Sequence, residues 1–313
     1  MGLQVVQRRG GHIEAVHPFS VSVVEGGRIA VSRGGVVRPP MRSSAKPFQL
    51  ACALEALDDP PMTHEELAVG TASHTAEDDH IKLVLGLMHR FGVRQRDLKC
   101  GGHRPLYIGA ADRLVREGTA VGAIHNNCSG KHTFMVAASK HQGWVGDYRD
   151  PDHPLQRCVR GYLAELAGER PDAAIDGCGA PSWVLGLDGM AKAWERLARG
   201  TDPRLTGIGQ AMLQNPWLTS GTGRLDLHVM QGRREDMMVK IGAQALFCMA
   251  FPQRQLGVAV KVHSGCEAAL GQAVAWTLDE LVPGAWERPG SWIWGRLENV
   301  IGKQVGDLRV EVR

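Results

Sequence analysis

Aromatic side chains are scarce in this chain: Phe, Trp and Tyr make up 5% of its 313 residues. Base-stacking platforms need such rings, so binding of single-stranded nucleic acid is not expected. Charge of one sign is also lacking. Lys and Arg number 36 against 33 Asp and Glu, a formal net charge of +3 with no long basic run, so the electrostatic footprint of a nucleic-acid surface is missing. No apolar stretch reaches the ~18 residues of a membrane-spanning helix. Arg8 and Arg9 near the N-terminus are followed by no apolar segment; no signal peptide is expected, and a cytoplasmic location is. The seven cysteines (Cys52, Cys100, Cys128, Cys158, Cys178, Cys248 and Cys266) are odd in number and widely spaced, which excludes a small disulfide framework. Reduced thiols or metal ligands fit better. There is no C-x-x-C pair. Gly130-Lys131 is not a phosphate-binding loop either, because His125 stands where the first glycine of that motif belongs.

What is present is ordinary globular composition, 43% hydrophobic, in a length that suits one large domain or two medium ones. Alternation over His12–His17 and Ser20–Val24, a turn at Glu25-Gly26-Gly27 and a return over Arg28–Ser32 read as strands. The middle of the chain reads as helices: a capping box at Thr63 and Glu66, then Ala76–Phe91, Leu106–Arg116, Lys131–His141, Pro154–Leu166 and Val184–Ala198. Thr201–Thr222 reads as irregular. Met237–Ile241, Ala245–Phe251 and Val258–Val262 read as strands, and Glu267–Leu281 as a helix. Strands at both ends predict an α+β domain spanning 1–313. Its antiparallel sheet comes from about 9–50 and 236–313, covered by the N- and C-terminal helices, with a helical lobe over about 51–235 and a cleft between them.

Five segments carry chemistry. Ser43-x-x-Lys46 precedes Pro47 and an apolar run, which places the serine at the mouth of a helix and the lysine one turn in. A serine needs a base to become a nucleophile, and a neutral lysine can serve; a helix-capping serine beside a solvated lysine is the plainer reading. Ser73 in Thr71–Glu77 could orient substrate, attack it, or cap the next helix. In Asn126–His132, free N–H groups opening a helix suit a carboxylate or oxyanion, and Cys128 lies three residues from Lys131 and four from His132. Asp176 and Cys178 share a Gly- and Pro-rich turn, expected to be tight and exposed, where Cys178 could join Cys128 as a soft zinc ligand. Lys240-x-Gly242 on a strand can present an amine to a cleft, and Lys261–Gly265 repeats that pattern on a later strand.

Together these segments resemble the asparaginase II family, the rhizobial-type L-asparaginases. Arg42–Gln49 is similar to its R-S-x-x-K-P-x-Q segment and Ala72–His74 to its A-S-H. Cys100-Gly101 with His103 and Pro105, Asn127–His132 and Asp176–Gly179 follow in family order. The resemblance implies a fold like the serine β-lactamases, penicillin-binding proteins and serine-dependent glutaminases, and a homodimer. It implies Ser43–Lys46 and Ser73–Lys240 as two serine–lysine pairs, with Lys240 preferred to Lys261. Arg42, His74, Asn127, Asp176 and Gly177 are implied at the substrate, and Cys128, Lys131 and Cys178 as ligands of a zinc ion that orients it. Toward the C-terminus the family's K-G-G-A-E-G reads Lys240–Ala245, its K-I-E-D-G reads Lys261–Gly265 and its R-x-D-T reads Arg224–Leu227, so acidic residues are lost from the first two.

The activity expected is hydrolysis of L-asparagine to L-aspartate and ammonia through an acyl-enzyme. Another amide substrate, glutamine or a β-lactam-like ring, is the near alternative. Zinc-generated hydroxide and a non-catalytic zinc or small-ligand binding protein are the others.

Overall fold

The computed structural model describes residues 2–313. The chain opens with three strands, β1 (Leu3–Arg9), β2 (His12–Glu25) and β3 (Arg28–Arg33). A single 3-10 turn, Arg42–Ala45, runs into α1 (Lys46–Glu55). Then come α2 (His64–Thr71), α3 (Asp78–Arg90), α4 (Ile108–Arg116), α5 (Ser129–His141) and α6 (Pro154–Ala167). A hairpin of β4 (Asp172–Ile175) and β5 (Pro181–Val184) leads to α7 (Leu187–Arg199), α8 (Pro203–Gln214), α9 (Pro216–Thr219) and α10 (Leu225–Gln231). The last part is β6 (Met238–Gly242), β7 (Leu246–Phe251), β8 (Leu256–Val262), α11 (Glu267–Leu281), β9 (Arg296–Glu298) and β10 (Gln304–Val312).

Terminal strands join into one sheet, as expected. Its order is β6-β7-β8-β2-β1-β10-β9, with β3 on the far half of β2, and every pairing is antiparallel. Phe19 of β2 faces Val262 of β8 and Leu3 of β1, which joins the N-terminal and C-terminal strands at the centre. Side chains alternate across the sheet with period two. Phe247, Met249 and Phe251 of β7 meet a core built with α11, whereas Leu246, Cys248 and Ala250 enter the core shared with α7 and the helical lobe. The architecture is α+β.

Two details differ from the sequence expectation. The N-terminal helix does not cover the sheet. Nine residues of α1 are buried, Lys46 to Leu54, and it packs against α5, α6 and α8 at the centre of the lobe. A helix apolar all round needs partners on every side, and a sheet face offers one side only. The mid-chain α7 takes its place against β2, β7 and β8. Thr201–Thr222 is also not irregular. Asp202 caps α8, its side chain accepting from the Arg204 N–H, and Pro203 sits in the first turn; this Asp-Pro start is a sequence signal for a helix. Strands β1, β9 and β10 and the β4–β5 hairpin, unassigned from sequence, complete the sheet edge and hold the Asp176–Ala180 turn. That turn is not exposed at its sulfur: Cys178 is buried.

The β6–β7 turn carries Gln244 and Ala245 at φ of 62° and 58°. A Cβ in left-handed backbone costs about 1–2 kcal/mol, and Ala245 stands where the resembling segment has glycine. Ala245→Gly should therefore raise stability by about 0.5–1 kcal/mol after the flexibility cost of glycine. Urea denaturation checks this, and an unchanged or lower midpoint contradicts it.

Candidate active site

Four segments converge under the sheet edge: the Arg42–Lys46 turn, the Ala72–Ala76 loop after α2, the Asn126–Cys128 loop before α5, and the Asp176–Ala180 turn. Close backbone approach packs them. A Cβ on Gly130 would lie 2.3 Å from the Val69 carbonyl oxygen, so only glycine lets α5 press on α2 there. Likewise a Cβ on Gly242 would meet the Met41 carbonyl oxygen at 2.9 Å. Gly242 thus admits the Arg42 turn against β6, rather than a substrate. The Arg42 backbone itself is left-handed, at φ of 51°. Its N–H donates to Ser182 Oγ (2.9 Å), and the Met41 N–H to the Trp183 carbonyl (2.8 Å), pinning the turn to β5.

Lys46 lies inside this junction, 1% exposed. Its Nζ donates to the Ala72 carbonyl, to Ser73 Oγ (3.0 Å) and to the Asn127 carbonyl (3.4 Å). Burial pushes its amine below the ordinary lysine value, Lys131 acts in the same direction, and the neighbouring Cys128 sulfur opposes. Lys240 is equally buried and bonds elsewhere, to the Thr219 carbonyl (3.1 Å) and Asp226 Oδ2 (3.3 Å). Burial, offset in part by Asp226, brings it down to about 8. The hydrogen bonds therefore divide differently from the Ser43–Lys46 and Ser73–Lys240 pairs expected from sequence. Lys46 is the lysine on Ser73, and Lys240 reaches Ser73 only through Thr219, whose carbonyl also accepts the Ser73 N–H (3.1 Å). Lys261 donates to the carbonyls of Gln244 (2.6 Å) and Val262 (2.5 Å), bracing the β6–β7 turn.

Ser43 is half-buried and faces a cavity of about 510 Å³. Arg42, Asn127, Cys128, Asp176, Gly177 and Cys178 share its wall. His103, Arg104, Leu106, Asn126 and Ala243 complete it. Arg42 Nε donates to Asp176 Oδ1 (2.7 Å). Burial raises the Asp176 carboxyl, but Lys131 and Arg42 outweigh it, and the group stays ionised below its usual range. His74 is not in the wall. It is fully buried, its Nδ1 accepting the Ala76 N–H (3.1 Å) and its Nε2 meeting Ser129 Oγ (2.8 Å), which fixes a neutral ring tying two loops together. His103 was noted in the sequence only as part of a segment: its Nε2 accepts the Asn127 N–H (2.9 Å). Arg104 gave no sequence signal, since an exposed-looking arginine carries none.

Beside the cavity, Lys131 Nζ lies 3.4 Å from Cys178 Sγ. Burial works against the Lys131 charge, yet Cys178, Cys128 and Asp176 together hold it above a free lysine. The Cys178 thiol favours a thiolate at Cys128, against burial and with help from Lys46 and Lys131. Cys128 Sγ also lies 3.2 Å from Asn127 Oδ1, a contact that suits the thiol; the two cationic neighbours weigh more, and turning the Asn127 amide over gives the thiolate a donor. No three His, Cys, Asp or Glu side chains cluster as metal ligands among the described residues. Two sulfurs and a lysine nitrogen nevertheless form a donor set that suits zinc. His132 adds a buried Nε2 without a partner next to Cys178, its Nδ1 engaged by the Tyr148 hydroxyl (2.7 Å).

A family model described as L-asparaginase II matches residues 5–310. The chain belongs to the L-asparaginase II family. The resemblance drawn from five short segments extends over nearly the whole chain. Among solved structures it is similar to Mglu in its native form (13% identity, 87% of this chain and 63% of that chain, TM-score 0.47). It is similar also to a putative beta-lactamase from Bacteroides dorei (8% identity, 84% and 93% covered, TM-score 0.46). A third is EstCE1, a hydrolase with promiscuous acyltransferase activity (11% identity, 82% and 93% covered, TM-score 0.42). The chain thus spans less than two thirds of the Mglu chain. The α+β assignment rests on the sheet order and helix packing described above. Curated proteins gave no match.

In this L-asparaginase II family member, Gly242 sets how closely the Ser43 turn approaches β6. Gly242→Ala should cost about 1–3 kcal/mol by overpacking and lower kcat/KM at least about tenfold by displacing the turn. Thermal unfolding and steady-state kinetics check both; a variant equal to the parent in both contradicts the role given to the close approach.

Proposed function

We propose that this family member is an amidohydrolase that converts L-asparagine to L-aspartate and ammonia through an acyl-enzyme on Ser43. The observation that carries this reading is a cavity-facing Ser43 one turn ahead of a buried Lys46, whose amine burial lowers below the ordinary lysine value and which also holds Ser73. Ser43 Oγ attacks the side-chain amide carbon and its proton passes to Lys46, directly or through the Ser73 hydroxyl. The C–N bond breaks as the amine returns that proton to the departing ammonia. Water, deprotonated by the same route, then cleaves the ester and restores Ser43. The Ser43 backbone N–H is the candidate donor to the developing oxyanion, since those of Arg42 and Ser44 are taken by Ser182 Oγ (2.9 Å) and the Met41 carbonyl (3.1 Å).

Asn127 on the cavity wall suits the substrate's α-carboxylate, with Arg104 beside it paired to Asp112 (2.8 Å), while Arg42 is neutralised by Asp176 and braces the turn. Cys128, Cys178 and Lys131 would hold zinc. Bound there, the ion would supply a Lewis-acid anchor for the α-amino or α-carboxylate end of the substrate. Lys131 must give up its proton to ligate, and so must Cys178.

Ser43→Ala should reduce kcat on asparagine by at least about 10³-fold with stability unchanged. Ammonia release from asparagine and glutamine measures this and the substrate preference together; parental turnover in the variant rejects Ser43 as nucleophile. Zinc binding should tighten from pH 6 to 8 and release about two protons per ion. Calorimetry in buffers of different ionisation heat reads that number, and Lys131→Ala should weaken binding at least about tenfold. Binding without proton release, or unaffected by Lys131→Ala, contradicts this ligand set.

A further inference from the structure

The Lys240–Asp226 pair lies outside the cavity wall, and no step above uses it. Both side chains are buried, at 0% and 1% exposure. Asp226 Oδ1 accepts the Ser220 hydroxyl, and its Oδ2 accepts from Lys240 Nζ at 3.3 Å. Lys240 also donates to the Thr219 carbonyl at 3.1 Å, and the same carbonyl accepts the Ser73 N–H at 3.1 Å. An unbroken chain of hydrogen bonds therefore runs from Asp226 through Lys240 and Thr219 to the Ser73 backbone. The charged groups facing Lys240 are Asp226 and Arg224 from the α10 side and Lys46 from α1. Two of these are cations, so the carboxylate is the one group that favours an ammonium at this position.

We propose that Asp226 is a positioning residue that holds Lys240 as an ammonium ion aimed at the Thr219 carbonyl, and that this carbonyl fixes the Ser73 loop. The two buried lysines near Ser73 then do different work. Lys46, held by carbonyls and a hydroxyl, is the amine beside Ser73 Oγ; Lys240, held by a carboxylate, is a fixed cation behind the Ser73 backbone. The proposal deepens the Ser43 acyl-enzyme reading, on which its catalytic consequence rests. The ionic state does not depend on that reading. Burial raises Asp226, but Lys240 and Arg224 keep it ionised, while Lys240 sits near 8 with its partner present. Removing the carboxylate favours the neutral amine, so the Lys240 midpoint must fall.

The test is a lysine 13Cε NMR titration of the whole protein, with the Lys240 signal assigned by Lys240→Arg, alongside the pH profile of kcat/KM for asparagine. In the parent, Lys240 should be an ammonium at pH 7. In Asp226→Asn its midpoint should fall by one pH unit or more. The alkaline limb of kcat/KM should move down with it, and Asp226→Glu should restore part of the shift. A merely structural Asp226 would lower the unfolding temperature and leave the Lys240 midpoint in place; that result overturns the proposal. Should Asp226→Asn not fold, the parent titration decides alone, because a neutral Lys240 at pH 7 also overturns it. A parent that hydrolyses no asparagine rejects the substrate reading instead, and the NMR midpoints still test Asp226.

Discussion

A lysine amine at 1% exposure constrains everything around it. Taken out of water, Lys46 needs acceptors for each of its hydrogens, and an unpaired buried polar group is costly. It finds them on two separate loops: the Ala72 carbonyl and Ser73 hydroxyl after α2, and the Asn127 carbonyl before α5. Those loops are themselves joined, the His74 N–H donating to the Asn127 carbonyl (3.2 Å) and the His74 ring to Ser129. The glycines follow from the same demand for proximity. Gly130 lies on the Val69 carbonyl and Gly242 on that of Met41, where any larger residue would hold the loops apart.

Three lysines are buried in this region, and the partner of each sets its proton affinity. Lys46 meets neutral oxygens, and burial lowers its amine below the ordinary lysine value. Lys131 meets sulfur and the Asp176 carboxylate, which overcome burial and keep it charged. Lys240 meets Asp226, which offsets burial only in part and leaves the amine at about 8. One residue type in one degree of burial thus meets three electrostatic surroundings. Pairing a buried charge is what separates these outcomes.

Several motif residues serve the scaffold. Both nitrogens of the His74 ring are engaged by Ala76 and Ser129 behind the cavity, and Arg42 pairs with Asp176. The cavity wall keeps Ser43, Asn127, Arg104 and the sulfur edge beside the apolar Leu106 and Ala243.

The amino-acid sequence by itself determined the terminal strands that make the sheet, the helical middle, the capping box at Thr63 and Glu66, and the spacing that sets Ser43 one turn before Lys46. These are short-range matters: hydrophobic period, turn residues and spacing within one helical turn act over a few residues. It also supplied the family order of the Asn127–His132 and Asp176–Gly179 segments. Tertiary structure alone decided which lysine meets which serine. Ser73 is 27 residues from Lys46 and far from Lys240 in sequence, and no periodicity reports on such contacts. It decided that Asp226, 14 residues before Lys240, is that lysine's counterion, and that Arg104 stands on the cavity wall. It also moved α1 from the sheet to the centre of the lobe, because a helix buried on every face is stable only where helices surround it.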